Sequence, residues 1–224
     1  MWQFWIDRGG TFTDVVARKP DGSIIIDKLL SENSDHYKDA AIAGIKKLLQ
    51  LKKEDLIPVD QISSVKMGTT VATNALLERK GDRTLLLITE GFGDLLRIGY
   101  QNRPLLFELN IKLPELLYDR VVEVSERLEA KGNVIRKLDE ESVRKALKQA
   151  KSDGINGVAI AFMHSYINSD HEEKIAQIAI EEKFLQVSVS HQVSPLMKLV
   201  GRGDTTVVDA YLSPILRRYV DQVS

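Results

Sequence analysis

Near its N-terminus the chain reads Phe4-Trp5-Ile6-Asp7-Arg8-Gly9-Gly10-Thr11-Phe12-Thr13-Asp14, and the rest of the predicted fold extends from this stretch. A short apolar strand runs into a carboxylate and two glycines, and a second apolar strand follows at Val15-Val16-Ala17. Adjacent glycines let the backbone adopt positive φ and let a bulky group approach the main chain closely. The amide N–H groups of such a turn can converge on one anion, most usefully a phosphate.

The turn therefore predicts a phosphate-binding site. Gly9 and Gly10 supply backbone amides, and Thr11 and Thr13 supply hydroxyl donors. Asp7 lies where it can hold Mg²⁺, usually through water. The alternative is an ordinary hairpin with a Gly-Gly turn and a solvated aspartate, because motifs this short often arise by chance.

Composition indicates an ordinary globular protein. The 224 residues are 43% hydrophobic and 28% charged, which suits one to two domains with a sizeable core. Lys plus Arg (31) nearly balances Asp plus Glu (32), and no basic stripe favours nucleic acid or an anionic membrane as a partner. No signal peptide or membrane-spanning run is visible in the sequence, so we expect a cytoplasmic location.

The cysteine and histidine content limits the kinds of catalytic and metal-binding site that the chain can form. The absence of cysteine excludes disulfides, thiolate nucleophiles and cysteine-based zinc sites, and it agrees with a reducing compartment. The histidines are scattered without the spacing of metal ligands, so no zinc site is predicted; they are His36, His164, His171 and His191. The sequence contains neither a P-loop nor a Gly-x-Gly-x-x-Gly turn, so neither of those nucleotide-binding folds is supported.

Residues 1–90 predict a phosphate-binding α/β half in the order strand, strand, strand, helix, strand, helix, strand. Ser34 or Asp35 can cap its first helix. The second helix, 71–80, should end at Gly81 with basic residues in its last turn. The last strand, 84–89, is a continuous apolar run, which is typical of a strand buried on both faces.

Residues 91–120 predict an irregular excursion on the substrate side, since glycines and prolines interrupt it and long loops are often functional. Residues 121–200 predict a second α/β unit. Its first helix should begin after Asp139, and its second should begin at a capping box formed by Ser169-Asp170-His171-Glu172.

Residues 201–224 predict a helix that leads to a further, C-terminal domain. The apolar stripe is strongest at 204–219, and Pro214 inside it should kink the helix or begin a new one with Ser213 as its cap. The two halves together resemble the architecture of actin, sugar kinases and Hsp70. The expected fold is therefore α/β: an actin-like (ribonuclease H-like) mixed sheet flanked by helices, with a second, smaller α/β unit.

A second anion site is predicted at Gly68-Thr69-Thr70, where a short strand leads directly into the second helix. The N-terminus of a helix attracts anions because its N–H groups are unpaired and its dipole is positive there. N-capping by Thr69 or Thr70 alone explains the same pattern, so both interpretations stay open.

Several stretches spread over nearly the whole chain form recognisable motifs: residues 4–14, 67–79, 89–99, 97–104, 193–195 and 205–212. In these stretches the chain resembles the hydantoinase A and 5-oxoprolinase family. The stretch 97–104 resembles the 5-oxoprolinase branch more than the hydantoinase or acetone carboxylase branches. One departure concerns Arg202: relatives often carry an acidic-Arg-x-x-Thr-Thr pattern before the last helix, whereas Gly201 precedes the arginine here.

The resemblance implies the N-terminal domain of an ATP-dependent 5-oxoprolinase, which opens the lactam of 5-oxo-L-proline to give L-glutamate, ADP and phosphate. ATP and Mg²⁺ are the implied cofactors, and the turn residues above are their implied site. The implied partners are the remaining C-terminal domains of the same polypeptide or a second subunit, in an oligomer when intact. We expect the 224 residues alone to bind ATP weakly and to turn over nothing.

Arg97 and Arg103 are candidates to clamp the substrate carboxylate, because a guanidinium fork fits it with two hydrogen bonds. The alternative for both is a surface salt bridge. Three hypotheses stay open for the whole protein: an ATP-coupled lactam hydrolase such as a 5-oxoprolinase or hydantoinase, a sugar or acetate kinase, and a non-catalytic nucleotide-sensing or assembly domain.

Overall fold

The computed structural model describes residues 1–101, 105 and 107–223. The chain divides into two compact units, one comprising Met1–Glu78 with Ile215–Ser224 and the other comprising Arg79–Pro214. Each unit has its own sheet and its own apolar core. The sheets contain both parallel and antiparallel strand pairs, so the predicted mixed α/β fold is confirmed.

The first unit opens with the predicted three-strand meander. Its elements are β1 (Trp2–Arg8), β2 (Phe12–Arg18), β3 (Ile24–Leu30), α1 (Ala40–Leu48), β4 (Ile62–Thr69) and α2 (Val71–Leu77). The sheet order is β3-β2-β1-β4, with β1 antiparallel to β2 and parallel to β4. One face of the sheet packs against α1 and buries Phe4, Ile6, Val15 and Ala17.

Two helix boundaries in this unit differ from prediction. Asp39, not Ser34 or Asp35, caps α1: its carboxylate accepts hydrogen bonds from the N–H groups of Ala41 (2.8 Å) and Ile42 (3.1 Å). The second helix ends at Leu77 rather than at Lys80. It ends early because Arg79 adopts a left-handed backbone with φ of 56°, the conformation that commonly terminates helices.

The second unit is built on a parallel sheet. Its elements are β5 (Thr84–Thr89), α3 (Leu95–Ile98), β6 (Arg120–Val124), β7 (Arg127–Leu128), β8 (Val134–Arg136), α4 (Glu140–Ser152), β9 (Gly157–Ala161), α5 (Asp170–Glu181), β10 (Gln186–Val189), α6 (Ser190–Val193) and the start of α7 (Leu199–Val223). The four long strands follow the order β10-β9-β5-β6. Leu85 and Leu87 belong to one apolar cluster, and Leu86 and Ile88 belong to another. The prediction that this strand is buried on both faces is confirmed.

The helices of this unit test the predicted caps. Asp139 caps α4 as predicted, since its carboxylate accepts from the Ser142 N–H (3.0 Å). The capping box at α5 is wrong. Ser169 makes no side-chain bond to the helix backbone and donates to Glu173 instead (2.6 Å), while Glu172 is fully buried.

The last helix, α7, is longer than predicted and runs through Pro214 without a new start. Ser213 is not a cap, because its hydroxyl donates to Asp209 one turn earlier (2.9 Å). The helix begins at Leu199. Within it Gly203 packs closely against α3, since a Cβ there would lie 2.9 Å from a methyl carbon of Leu96. No helix among residues 1–101 and 107–223 is long and apolar enough to cross a membrane.

Candidate functional site

The two glycine-containing motifs of the first unit meet at one edge of its sheet. β1 and β4 are parallel neighbours, and their register pairs Asp7 with Gly68 and Arg8 with Thr69. The carboxyl ends of both strands therefore open at the same place, which is where α/β sheets commonly bind ligands. We name this site the β1–β4 corner; it comprises Asp7, Gly9, Gly10, Thr11, Gly68, Thr69 and Thr70.

The bend after β1 leaves backbone donors unused. The Gly9 N–H donates to the Phe12 carbonyl (3.0 Å) and closes the turn. Gly10 and Thr11 are exposed, and no hydrogen bond within the described part of the chain uses their N–H groups. The bend thus presents two unpaired amides and the Thr11 hydroxyl, the donor set that an oxyanion needs.

Space limits the two glycines of the bend to different degrees, and neither has a positive φ. A Cβ on Gly9 would lie 3.0 Å from the Phe12 carbonyl oxygen, a backbone atom, so a side chain there would be crowded. A Cβ on Gly10 would lie 2.8 Å from the Asn74 side-chain amide of α2, which can move to admit it.

Thr13 lies elsewhere than predicted. It is fully buried, and its hydroxyl lies 3.0 Å from that of Ser31. Ser31 in turn donates its hydroxyl to the Gly9 carbonyl (2.7 Å) and its N–H to the Thr11 carbonyl (2.8 Å). Thr13 therefore braces the bend through Ser31 and offers no hydroxyl to a ligand. The role of Ser31 was not predicted, because no local sequence motif marks this residue.

The Gly68-Thr69-Thr70 motif spans the end of β4 and the residue before α2, and the Thr70 side chain does not cap that helix. Gly68 and Thr69 belong to β4, and the Thr69 hydroxyl accepts from the Val71 N–H (3.1 Å). Thr70 directs both its N–H (3.1 Å) and its hydroxyl (3.3 Å) to the Arg8 carbonyl. The threonines thus tie β4 and α2 to the end of β1, which holds the corner in shape.

Asp7 is exposed near the end of β1. Its carboxylate is exposed and forms no hydrogen bond or ion pair with the residues that the structure describes. A Cβ on Gly68 would lie 3.8 Å from its Oδ1, so the glycine keeps one side of the carboxylate open. Within residues 1–101 and 107–223 no three carboxylate or histidine groups come together to hold a metal. A cation at Asp7 would therefore keep most of its water ligands, as Mg²⁺ prefers.

Arg8 stabilises the β1–β4 corner through contacts at the end of β1, and no role was predicted for it. Its guanidinium pairs with Asp39 (3.0 Å) and lies over the Tyr219 ring, 4.7 Å from the centroid. One residue therefore links the end of β1 to the cap of α1 and to the final turns of α7.

The predicted substrate residues belong to the other unit. Arg97 lies on α3, is exposed, and makes no salt bridge with the described residues, so the surface-salt-bridge interpretation is not supported for it. It borders a cleft of about 560 Å³ that also contains Arg79 and Arg83. Arg103 lies outside the described residues.

A buried polar network in the second unit also escaped sequence analysis. Glu172 accepts from the Phe162 N–H (2.8 Å), from the Ser190 hydroxyl (2.6 Å) and from His191 Nδ1 (2.7 Å). Burial acts to raise the pKa of Glu172, but these hydrogen bonds outweigh it and hold the pKa below its usual range. The network fastens α5 to the ends of two strands.

Arg202 joins the same network and is fully buried. Its guanidinium donates to the Ser165 hydroxyl and to the Phe162 carbonyl (2.8 Å). The departure from the family pattern before this arginine therefore leaves it with a structural role inside the second unit.

The sequence as a whole matches the family described as the hydantoinase/oxoprolinase N-terminal region over residues 3–183. The chain belongs to this family. It is 42% identical, over a 250-residue alignment, to the 5-oxoprolinase of Dictyostelium discoideum; the alignment covers 97% of this chain and 20% of that relative.

Solved structures share the fold of this hydantoinase/oxoprolinase region. An ATP-dependent caprolactamase from Pseudomonas jessenii superposes with a TM-score of 0.83 and 27% identity, covering 99% of this chain and 33% of that one. A nucleotide-free acetone carboxylase, the subject of work on ATP-dependent acetone carboxylation, superposes with a TM-score of 0.78 and 23% identity over 96% of this chain and 32% of that one. This chain spans about a fifth of the length of the curated 5-oxoprolinases that it matches.

Proposed function

We propose that this chain is the nucleotide-binding N-terminal region of an ATP-dependent 5-oxoprolinase. The complete enzyme would convert 5-oxo-L-proline, ATP and water to L-glutamate, ADP and phosphate. The 42% identity to a protein named 5-oxoprolinase supports the substrate, and the likeness to an ATP-dependent caprolactamase supports ATP-coupled opening of a cyclic amide.

The observation that carries the proposal is the β1–β4 corner. Two unpaired amides and a hydroxyl lie beside an unpaired carboxylate at the carboxyl edge of a sheet. The amides of Gly10 and Thr11 suit phosphate oxygens, and Asp7 suits a hydrated Mg²⁺ that neutralises them. A ribonuclease H-like, actin-like arrangement of the first unit is the fold that we propose for this site.

Bound ATP would supply a phosphoryl group for the lactam oxygen, which makes the amide carbonyl electrophilic and provides a leaving group. The role of this chain's residues is positioning and charge, on which phosphoryl transfer chiefly depends. Gly10 and Thr11 would hold the phosphates by main-chain donors, and Asp7 would hold a hydrated Mg²⁺ that offsets their charge. Thr13, Ser31 and Thr70 keep the bend from collapsing when no phosphate is present.

The rest of the catalytic apparatus is proposed to come from the C-terminal part found in the longer relatives. That part would complete the nucleotide cleft, within one polypeptide or as a second subunit, and intact enzymes would assemble as cytoplasmic oligomers. Arg97 and Arg103 remain the proposed contacts to the substrate carboxylate.

Phosphate release tests the function when this chain is joined to the C-terminal portion of a full-length relative. We expect ADP and phosphate to form with 5-oxo-L-proline and not with hydantoin or a sugar. Asp7→Asn should lower the rate by about 100-fold, the usual loss when one electrostatic group is removed from a reaction centre. Asp21→Asn is the matched control. Asp21 is an exposed carboxylate in a turn, and among the described residues its hydrogen bonds come from Ser23 alone.

The outcomes separate the competing functions. Release with hydantoin but not with 5-oxo-L-proline would assign a hydantoinase. Nucleotide binding without release on any substrate would favour a sensing or assembly domain. An Asp7→Asn enzyme as active as Asp21→Asn would remove Asp7 from the proposed site.

A further inference from the structure

The second unit contains a cleft of about 560 Å³ whose wall is rich in arginine. Its charged lining consists of Arg79, Arg83, Arg97, Glu115 and Asp119, and its aromatic lining consists of Tyr118 and Tyr211. The lining thus includes three guanidinium groups and two carboxylates. The cleft carries a net charge of about one positive unit, which suits a singly charged anion better than a multiply charged phosphate chain.

The three arginines are not equivalent. Arg83 is occupied, because it pairs with Asp119 (2.7 Å) and donates to the Asp153 carbonyl (2.7 Å). Arg79 and Arg97 form no ion pair or side-chain hydrogen bond with the residues that the structure describes. Two guanidinium forks therefore remain free at the cleft, and each matches the geometry of a carboxylate.

Arg79 holds a backbone conformation that an arginine does not favour. Its φ of 56° is left-handed, which would suit glycine or asparagine better than a larger side chain. A strained residue at a cleft is a reason to look for a function of its side chain. Arg79 lines the cleft two residues before Gly81, which lines it as well.

The adjoining wall is shaped by Gly81 and Tyr211. A Cβ on Gly81 would lie 2.0 Å from the Tyr211 ring, so the ring packs directly on bare backbone. Burial raises the pKa of the Tyr118 phenol, although the charge of Arg97 opposes the rise. The phenol therefore stays protonated at neutral pH and can donate a hydrogen bond.

We propose that this cleft binds the carboxylate of a small monoanionic ligand between Arg79 and Arg97, with Tyr118 as an additional donor. On the proposed function, which this assignment assumes, the ligand is 5-oxo-L-proline. The apolar side chains of Leu116 and Leu117 line the same cleft and would face its ring methylenes. Arg79 is then a substrate-binding residue, in addition to Arg97.

Ligand titration of the 224-residue chain, followed by ¹H–¹⁵N NMR, tests the proposal. The probes are 5-oxo-L-proline, the uncharged lactam 2-pyrrolidinone, which has no carboxylate, and inorganic phosphate. We expect saturable shifts at Gly81, Arg97 and Tyr118 with 5-oxo-L-proline, and much weaker binding of the other two. Titration to roughly 50 mM covers the millimolar range of weak small-ligand binding.

Two variants and a control locate the site. Arg97→Gln and Arg79→Asn should each raise the dissociation constant by about tenfold or more, because each removes charge-assisted hydrogen bonds. Asparagine suits a left-handed backbone, so Arg79→Asn should keep or raise the melting temperature while binding is lost. Arg18→Gln, an exposed arginine of β2, should leave binding unchanged.

Four results would overturn the assignment: no saturable binding, equal affinity for 2-pyrrolidinone, equal affinity for phosphate, or unchanged affinity in both arginine variants. The test is separate from that of the nucleotide site. Asp7→Asn should leave 5-oxo-L-proline binding intact, and Arg79→Asn should leave nucleotide binding intact.

Discussion

Thr11 and Thr13 stand two positions apart in one motif, yet the structure gives them different roles. Thr13 continues the inward alternation of Val15 and Ala17, and all three are fully buried. Thr11 precedes the strand and stays exposed. The period of two was readable in the sequence, so the inward direction of Thr13 could have been predicted from it. The match to a phosphate-binding turn instead led to the prediction that Thr13 contacts the ligand.

Valine substitutions at these two positions test the difference. Thr13→Val should lower the free energy of unfolding by about 1 kcal/mol, because it removes a buried hydrogen bond to Ser31. Thr11→Val should change stability by less than about 0.5 kcal/mol, since the hydroxyl is exposed, but should weaken nucleotide binding. Urea unfolding and calorimetry with MgATP give the two readouts. If Thr13→Val weakened nucleotide binding without loss of stability, and Thr11→Val lowered stability without weakening binding, Thr13 would be the residue that contacts the ligand.

Glu172 is the residue that we expect to govern acid stability. Its pKa is depressed in the folded chain relative to an ordinary value of 4.5, so the unfolded state takes up its proton first as the pH falls. The stabilisation is complete above that ordinary value and is lost as the pH falls through the folded pKa.

Thermal unfolding between pH 7 and pH 3 measures this effect. Glu172→Gln should be less stable than the native chain at pH 7 and should lose less stability on acidification. Glu141→Gln is the control, because Glu141 is an exposed carboxylate that forms a surface ion pair with Lys145. Parallel pH curves for the native chain and Glu172→Gln would show that the carboxylate does not carry the acid response.

Helices and strands were predicted correctly where the local sequence pattern agreed with the tertiary packing. The strand at 84–89 and the cap at Asp139 are as predicted, because unbroken hydrophobicity and an N-cap carboxylate each have one structural outcome here. Ser169 and Glu172 also matched a capping box. Tertiary structure overrode that pattern, since Glu172 bonds residues far away in sequence, and the sequence near α5 contains no sign of them.

The cap of α1 gives a prediction at the same scale. Asp39 both caps the helix and pairs with Arg8. Asp39→Ala should lower the free energy of unfolding by about 1–2 kcal/mol, the usual cost of a lost N-cap. Asp39→Asn keeps a good cap and loses only the ion pair, so its loss should be smaller. Equal losses in urea unfolding would mean that the ion pair, and not the cap, stabilises α1.

The sheet of the first unit could be predicted from the sequence. It consists of a three-strand meander and one crossover connection, which the alternation of apolar residues and the turn residues indicate. The first unit also includes the last turns of α7, through contacts of Tyr219 with Arg8 and with Met67 (3.0 Å). Such pairings join opposite ends of the chain, and no local periodicity encodes them.

All residues of the β1–β4 corner lie in two short sequence motifs, and the pairing of β1 with β4 brings the two motifs together. The arginine cleft was only half visible. Arg97 and Arg79 both lie in family motifs, but only Arg97 was predicted to bind substrate. Arg79 was predicted to lie inside the second helix, whereas α2 ends three residues earlier than predicted and Arg79 lines the cleft. The site is therefore a consequence of where a helix stops.

The central claim is that the β1–β4 corner receives the phosphates of a nucleotide. The most direct measurement is a ¹H–¹⁵N NMR titration of this chain with MgATP. Saturable shifts at the amides of Gly10, Thr11 and Gly68, weakened when Asp7 is replaced by asparagine, are the predicted result. MgATP binding that leaves these amides unmoved, or that is indifferent to Asp7→Asn, would contradict the claim.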